Sequence, residues 1–131
     1  MKDDIWKLFL ITSATGYVES QSDAKSSRYV FSYTITIENQ SEYPCQLLSR
    51  HWVIQDANQK IEEIYGEGVI GQQPVIEPGE KYRYSSGAVL ETEIGTMEGR
   101  YFMICKSDEE GHLEFDVQIP KFVLSVPRTI H

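Results

Sequence analysis

Period-two alternation of apolar and polar side chains recurs along this chain, and it predicts strands in preference to helices. The cleanest stretch is Tyr29 to Asn39, where Tyr29, Phe31, Tyr33, Ile35 and Ile37 alternate with Val30, Ser32, Thr34, Thr36 and Glu38. A turn cluster, Asn39 to Pro44 (NQSEYP), separates it from Cys45 to Gln55. There, one alternate set holds Cys45, Leu47, Ser49, His51 and Val53, and the other Gln46, Leu48, Arg50, Trp52 and Ile54. The second set has the larger apolar members, which places Trp52 in the core, Arg50 beside it and His51 on the opposite face.

Other segments follow the same logic. Ile5 to Thr12 is apolar on both alternate faces and reads as a first strand with cover on both sides, which Tyr17 to Glu19 would extend or repeat after Gly16. Ser20 to Ser27 is a polar surface loop. Asp56 to Gln59 reads as a hairpin turn leading into a short strand, Lys60 to Tyr65, with Ile61, Glu63 and Tyr65 on one face. Glu77-Pro78-Gly79-Glu80 has the form of a type II turn, and Lys81 to Ser85 should be a strand with Tyr82 and Tyr84 on one face. Short strands are expected around Val89-Leu90 and Ile94 to Met97, interrupted at Gly95. Arg100 to Lys106, Leu113 to Ile119 and Phe122 to Val126 complete the set, with a break at Pro120.

Strand after strand, turn signals close together and no helical period predict an all-β domain. An immunoglobulin or fibronectin type III-like sandwich of about seven to nine antiparallel strands is preferred to a closed barrel. Gly99-Arg100-Tyr101-Phe102-Met103 supports that choice, because it has the Gly-x-Tyr-x-apolar form of the tyrosine corner that opens a late strand in such domains.

The densest punctuation lies between Tyr65 and Gly87. Gly66-Glu67-Gly68-Val69-Ile70-Gly71 matches the dinucleotide fingerprint G-x-G-x-x-G, which requires a helix immediately afterwards to receive a pyrophosphate. Pro74 and Pro78 exclude that helix, since an interior proline costs about 3 kcal/mol or more. What remains is a glycine-rich connection between strands. Its backbone N–H groups could still form an anion-binding nest.

Composition narrows the choice of partner. The 131 residues suit one domain with one core, residues 1–131. Twelve basic against 20 acidic residues give a formal charge of −8, which argues against a nucleic-acid partner. The apolar run Leu8 to Ile11 is far short of a membrane span, so no membrane partner and a cytoplasmic location are expected. Cys45 and Cys105 read as small buried hydrophobes in a reducing compartment, with a single bridge as the lesser alternative. His51, His112 and His131 form no metal motif. No cofactor is implied.

The chain resembles the bacterial ApaG family, whose domain also occurs in some eukaryotic F-box proteins and in a polymerase-delta-interacting protein. The motifs that carry the resemblance are Arg28-Tyr29-Val30-Phe31 with Tyr33 to Ile37, Gln46 to Trp52, Gly66 to Pro74, Pro78-Gly79-Glu80, Tyr84 to Gly87, Gly95 to Met103 and Ile119 to Phe122. The resemblance implies a fibronectin type III-like sandwich, no established enzymatic activity, and a loose association with cobalt tolerance and magnesium efflux. In that family the gene often lies beside one for a diadenosine tetraphosphate hydrolase, which makes pyrophosphate binding by the glycine motif attractive.

Three kinds of site follow. The first is a non-enzymatic interaction module that meets an unidentified protein partner through its loops or an exposed face, with self-association through a sheet face or edge strand also expected. The second is a site for a phosphate-containing ligand, with Gly66, Gly68 and Gly71 supplying backbone N–H groups and Arg50 or Arg83 the charge. The competing reading of Arg50 is an ion pair with a carboxylate. The third is a metal held by His51 or His112 with carboxylates among Asp108, Glu109 and Glu110. No hydrolase elbow is present, and Ser85-Ser86 is read as part of a turn.

Overall fold

A computed structural model describes residues 2–107 and 111–128. Eight strands follow in chain order: β1 (Phe9–Tyr17), β2 (Tyr29–Asn39), β3 (Cys45–Asp56), β4 (Ile61–Glu67), β5 (Val75–Ile76), β6 (Lys81–Leu90), β7 (Ile94–Ser107) and β8 (Gly111–Ser125). One sheet has the order β1-β2-β6, the other β4-β3-β7-β8, and β5 pairs with β3 beyond the end of β4. All pairings are antiparallel. This is the expected immunoglobulin or fibronectin type III-like sandwich. Among the described residues no helix is long and apolar enough to cross a membrane.

The core lies between the sheets. Phe31, Tyr33, Ile35 and Ile37 from β2 face Trp52, Tyr101, Ile119 and Leu124 from the larger sheet, all buried. Trp52 is 1% exposed and meets the rings of Tyr33, Tyr101 and Phe122 at steep angles, with centroids 5.4, 6.4 and 5.9 Å away. Each such edge-to-face pair adds about 0.5–1.5 kcal/mol beyond its buried area. Phe9 and Phe115, 5.5 Å apart, close one flank where β1 packs against β8.

Several boundaries depart from the sequence pattern, each for a physical reason. Lys2–Leu8 is 3-10 helical and the first strand begins at Phe9. Ile5, Phe9 and Ile11 are buried there while Trp6, Leu8 and Leu10 are exposed, so the segment is covered on one side only. β7 is a single strand of 14 residues, because its glycines admit a close neighbour. A Cβ on Gly99 would collide with the His51 carbonyl oxygen of β3. β8 likewise runs through Pro120, which an edge strand tolerates because one of its edges needs no donor. Tyr101 is not a tyrosine corner. It sits inside β7, and its hydroxyl pairs with the Tyr84 hydroxyl of β6 across the core.

The most consequential departure is in β3. Its pairing with β7 slips between Leu47 and Ser49, leaving Leu48 without a partner. The slip reverses which alternate positions face inward. Cys45 and Leu47 are buried before it, and Trp52 and Ile54 after it, so the two alternate sets each contribute half of the inner face.

The same register sets Cys45 opposite Cys105, and the two are joined in a disulfide. Both are fully buried, as expected of small hydrophobes, but the expectation of two separate thiols is corrected. A bridge across 60 residues of sequence stabilises by about 2–4 kcal/mol, chiefly by restricting the unfolded chain. Thiol titration of the protein purified without reductant and then denatured should find no free thiol. Two free thiols would restore the reading as separate hydrophobes.

Candidate functional site

The inner faces of β3, β4 and β6 do not close over one another at the flank opposite Phe9 and Phe115. A cleft of about 610 Å³ opens there. Arg50, Trp52 and Ile54 of β3 with Glu62 and Ile64 of β4 form one wall. Tyr84, Ser86 and Ala88 of β6, with Tyr33 of β2, form the other. Val69 and Ile70 close the upper end.

Parity explains why polar residues line this cleft. Residues 62 and 64 of β4 pair with Ile54 and Trp52, and residue 86 of β6 alternates with the buried Tyr84 and Ala88. Arg50, Glu62 and Ser86 therefore occupy core-facing positions of a sandwich, where apolar residues are ordinarily required. Glu62 has no ion-pair partner among the described residues. Among the described residues, the indole N–H of Trp52, at the floor, has no hydrogen-bond partner. Behind it, burial pushes the hydroxyls of Tyr84 and Tyr101 above the ordinary tyrosine range, so both stay protonated and can donate or accept without carrying charge.

Arg50 is held by the glycine-rich segment. Its Nη1 donates to the carbonyl oxygens of Glu67 at 3.2 Å and Gly68 at 2.7 Å. No carboxylate pairs with it among the described residues, so the expected ion pair is replaced by carbonyl contacts. Gly66 is required for this arrangement. A Cβ there would lie 2.6 Å from Arg50 Nη1 and displace the guanidinium. Nε and Nη2 of Arg50 take no part in these bonds.

The remaining glycines build a hairpin. Val69 N–H donates to the Gln72 carbonyl and Gln72 N–H to the Val69 carbonyl, at 2.8 and 2.9 Å. Between them Ile70 and Gly71 both have positive φ, 48° and 70°, which is a type I′ turn. Gly68 also has positive φ, 62°, and a Cβ on it would collide with the Gln72 carbonyl oxygen. Leu48, the residue skipped by the β3 register, accepts from Gly68 N–H and Gln73 Nε2, tying the hairpin to the slip. Strand β5 follows, not a helix.

Gly66, in β4, is paired with Arg50 of β3, and Gly68 and Gly71 lie in the hairpin that follows. Arg83 does not join them, since it points outward from β6 opposite Thr36. Ser85 and Ser86 are in a strand, and Ser85 Oγ meets Thr34 Oγ1 at 2.7 Å. His51 stacks on Tyr65 on the outer face, 4.1 Å between ring centroids, with Nε2 3.1 Å from Glu63. Asp108, Glu109 and Glu110 lie outside the described residues, and among the described ones no three potential metal ligands converge. Glu62, Ser86 and Ile70 escaped sequence reasoning. The strand that became β6 was expected to end at Ser85, so Ser86 had no parity, and Ile70 looked like any apolar loop residue.

Fold and site together define a single β-sandwich whose flank carries a polar-lined cleft beside a glycine hairpin. The family model described as ApaG domain matches residues 19–105. Protein ApaG of Thiobacillus denitrificans is 50% identical over 121 residues, covering 92% of each chain. Protein ApaG of Aromatoleum aromaticum is 52% identical over 115 residues, covering 88% of this chain and 87% of the relative. A Bordetella pertussis protein solved by crystallography under the name ApaA superposes with a TM-score of 0.85 at 43% identity, covering 92% of this chain and 95% of that one. The chain belongs to the ApaG family.

Ile70 gives a test of the hairpin. A β-branched residue in the left-handed region is strained, whereas asparagine adopts it readily. Ile70→Asn should raise stability by about 1 kcal/mol in urea denaturation. A loss of stability would show that Ile70 is retained for packing within the fold.

Proposed function

We propose that this chain is a non-catalytic binding module, and that it recognises a protein partner through the flank where the cleft opens. The observation that carries the reading is Ile70. It is 57% exposed, apolar and strained, at the tip of a hairpin that forms the upper end of the cleft. Exposure and strain both count against it in the isolated fold, and a role in contact accounts for both. Val89, 53% exposed on the opposite rim, extends the apolar border. Chemistry in the cleft points the same way. Its hydroxyl groups are those of Tyr33, Tyr84, which burial keeps protonated, and Ser86, which has no hydrogen bond to a base among the described residues, and this set suits recognition better than bond cleavage.

A second reading, recognition of a phosphate-containing ligand, draws on the Ile70 and Gly71 N–H groups, which have no backbone partner among the described residues, and on the unused nitrogens of Arg50. Against it, the N–H groups of Gly68, Val69 and Gln72 are already engaged.

One experiment separates the two. A photo-crosslinking amino acid is placed at position 70, and at Val123 on the outer face of β8 as a control, in cells of a related bacterium. The module reading expects a discrete protein adduct from position 70 and none from position 123. Adducts from neither position, together with a thermal shift on adding diadenosine tetraphosphate, would overturn it in favour of the phosphate site. Ligand at 100 times its dissociation constant stabilises by about 2.7 kcal/mol.

A further inference from the structure

We propose that the occupant of the cleft is an extended peptide segment of the partner, with an acidic group at the Arg50 end and a lysine or arginine at the Glu62 end. The proposal rests on the flank being the recognition surface and adds what that surface reads.

The shape of the space is the first argument. A second, smaller depression continues the cleft and shares Ile54, Glu62 and Val89 with it. The two make one groove running along the strands from Arg50 to the Lys60–Glu91 ion pair, which spans the lower end at 3.2 Å. Arg50 and Asp56 bound it on β3, and six strand residues span about 20 Å. That length fits about six residues of extended chain.

The walls are the second argument. β4 pairs with β3 alone and β6 with β2 alone, so each presents a second edge with no backbone partner among the described residues. An extended segment can satisfy such an edge as an added strand, taking affinity from main-chain hydrogen bonds and specificity from alternate side chains. Ser86 and Ala88, with small side chains on the inward positions of β6, leave room for the segment's own inward side chain above Trp52 and Tyr33.

Charge fixes the direction. Arg50 offers Nε and Nη2 at the upper end. Glu62 and Asp56 make the lower end acidic, with Glu91 beside them offset by its ion pair to Lys60. Arg50 and Glu62 are paired to Gly66 and Ile54, four strand positions apart, or about 13 Å. A partner segment with opposite charges at that spacing matches both ends. A second copy of this chain does not, because its own β4 would bring Glu62, Glu63 and Glu67 against the acidic end.

The test is selection from a random dodecapeptide display library on immobilised protein. Three forms are compared: wild type, Glu62→Lys and Ser86→Trp, the last to fill the groove. Wild type should enrich peptides with a basic and an acidic residue three to five positions apart around an apolar one. Glu62→Lys should exchange the basic preference for an acidic one and leave the Arg50 end unchanged. Ser86→Trp should retain the wild-type peptides at least about tenfold more weakly. Should that variant fail to fold, Glu62→Lys decides alone, since residue 62 is exposed on an edge strand. No enriched peptide, or the same peptides from wild type and Glu62→Lys, overturns the proposal. If position 70 nevertheless crosslinks a protein, the module reading stands without the extended-peptide occupant. If it crosslinks none, both readings fall.

Discussion

One slip in a strand ladder organises this molecule. β3 is the strand on which the larger sheet depends, paired with β4, β5 and β7. Because the β7 register moves by one residue at Leu48, the inward positions of β3 change phase in mid-strand. Without that change, a strand with Cys45 and Leu47 inward would direct Trp52 and Ile54 to solvent and His51 to the core. With it, the first residues of β3 are secured against Cys105 and Met103, and the later ones deliver Trp52 to the core and Arg50 to the flank. The carbonyl released at Leu48 is then used to dock the glycine hairpin.

The glycines gain their meaning from that docking. Gly66 leaves space for the Arg50 guanidinium, Gly68 allows the chain to pass against Gln72, and Gly71 completes a two-residue turn. The dinucleotide fingerprint in the sequence is therefore a folding motif of a hairpin on this fold. Beside it lie an arginine fixed by two carbonyls, a glutamate on a core-facing position and, at the tip, an apolar residue.

Much of this was legible in the residues. Strand β2 was bounded to the residue by its alternation, and the turn at Asp56 to Gln59 by its composition. Trp52 and Arg50 were assigned to one face correctly, by weighing side chains after the slip. The slip itself was not legible, because an extra residue in a ladder is a property of two strands and alternation describes one. The continuity of β7 through Gly95 and Gly99 was hidden for the same reason. These glycines break no strand: they sit where β3 passes too close for a side chain. The cleft was hidden most completely, since it depends on β4 and β6 facing each other across two sheets without closing.

The proposed role requires this flank to be a preformed receptive surface. Crystals of the protein soaked separately in isopropanol, phenol and acetate test it without any knowledge of the partner. The organic probes should superpose in the cleft over Trp52, and acetate should sit on the Nε and Nη2 nitrogens of Arg50. Probes scattered over the outer faces, with the cleft filled by the protein's own side chains, would contradict it.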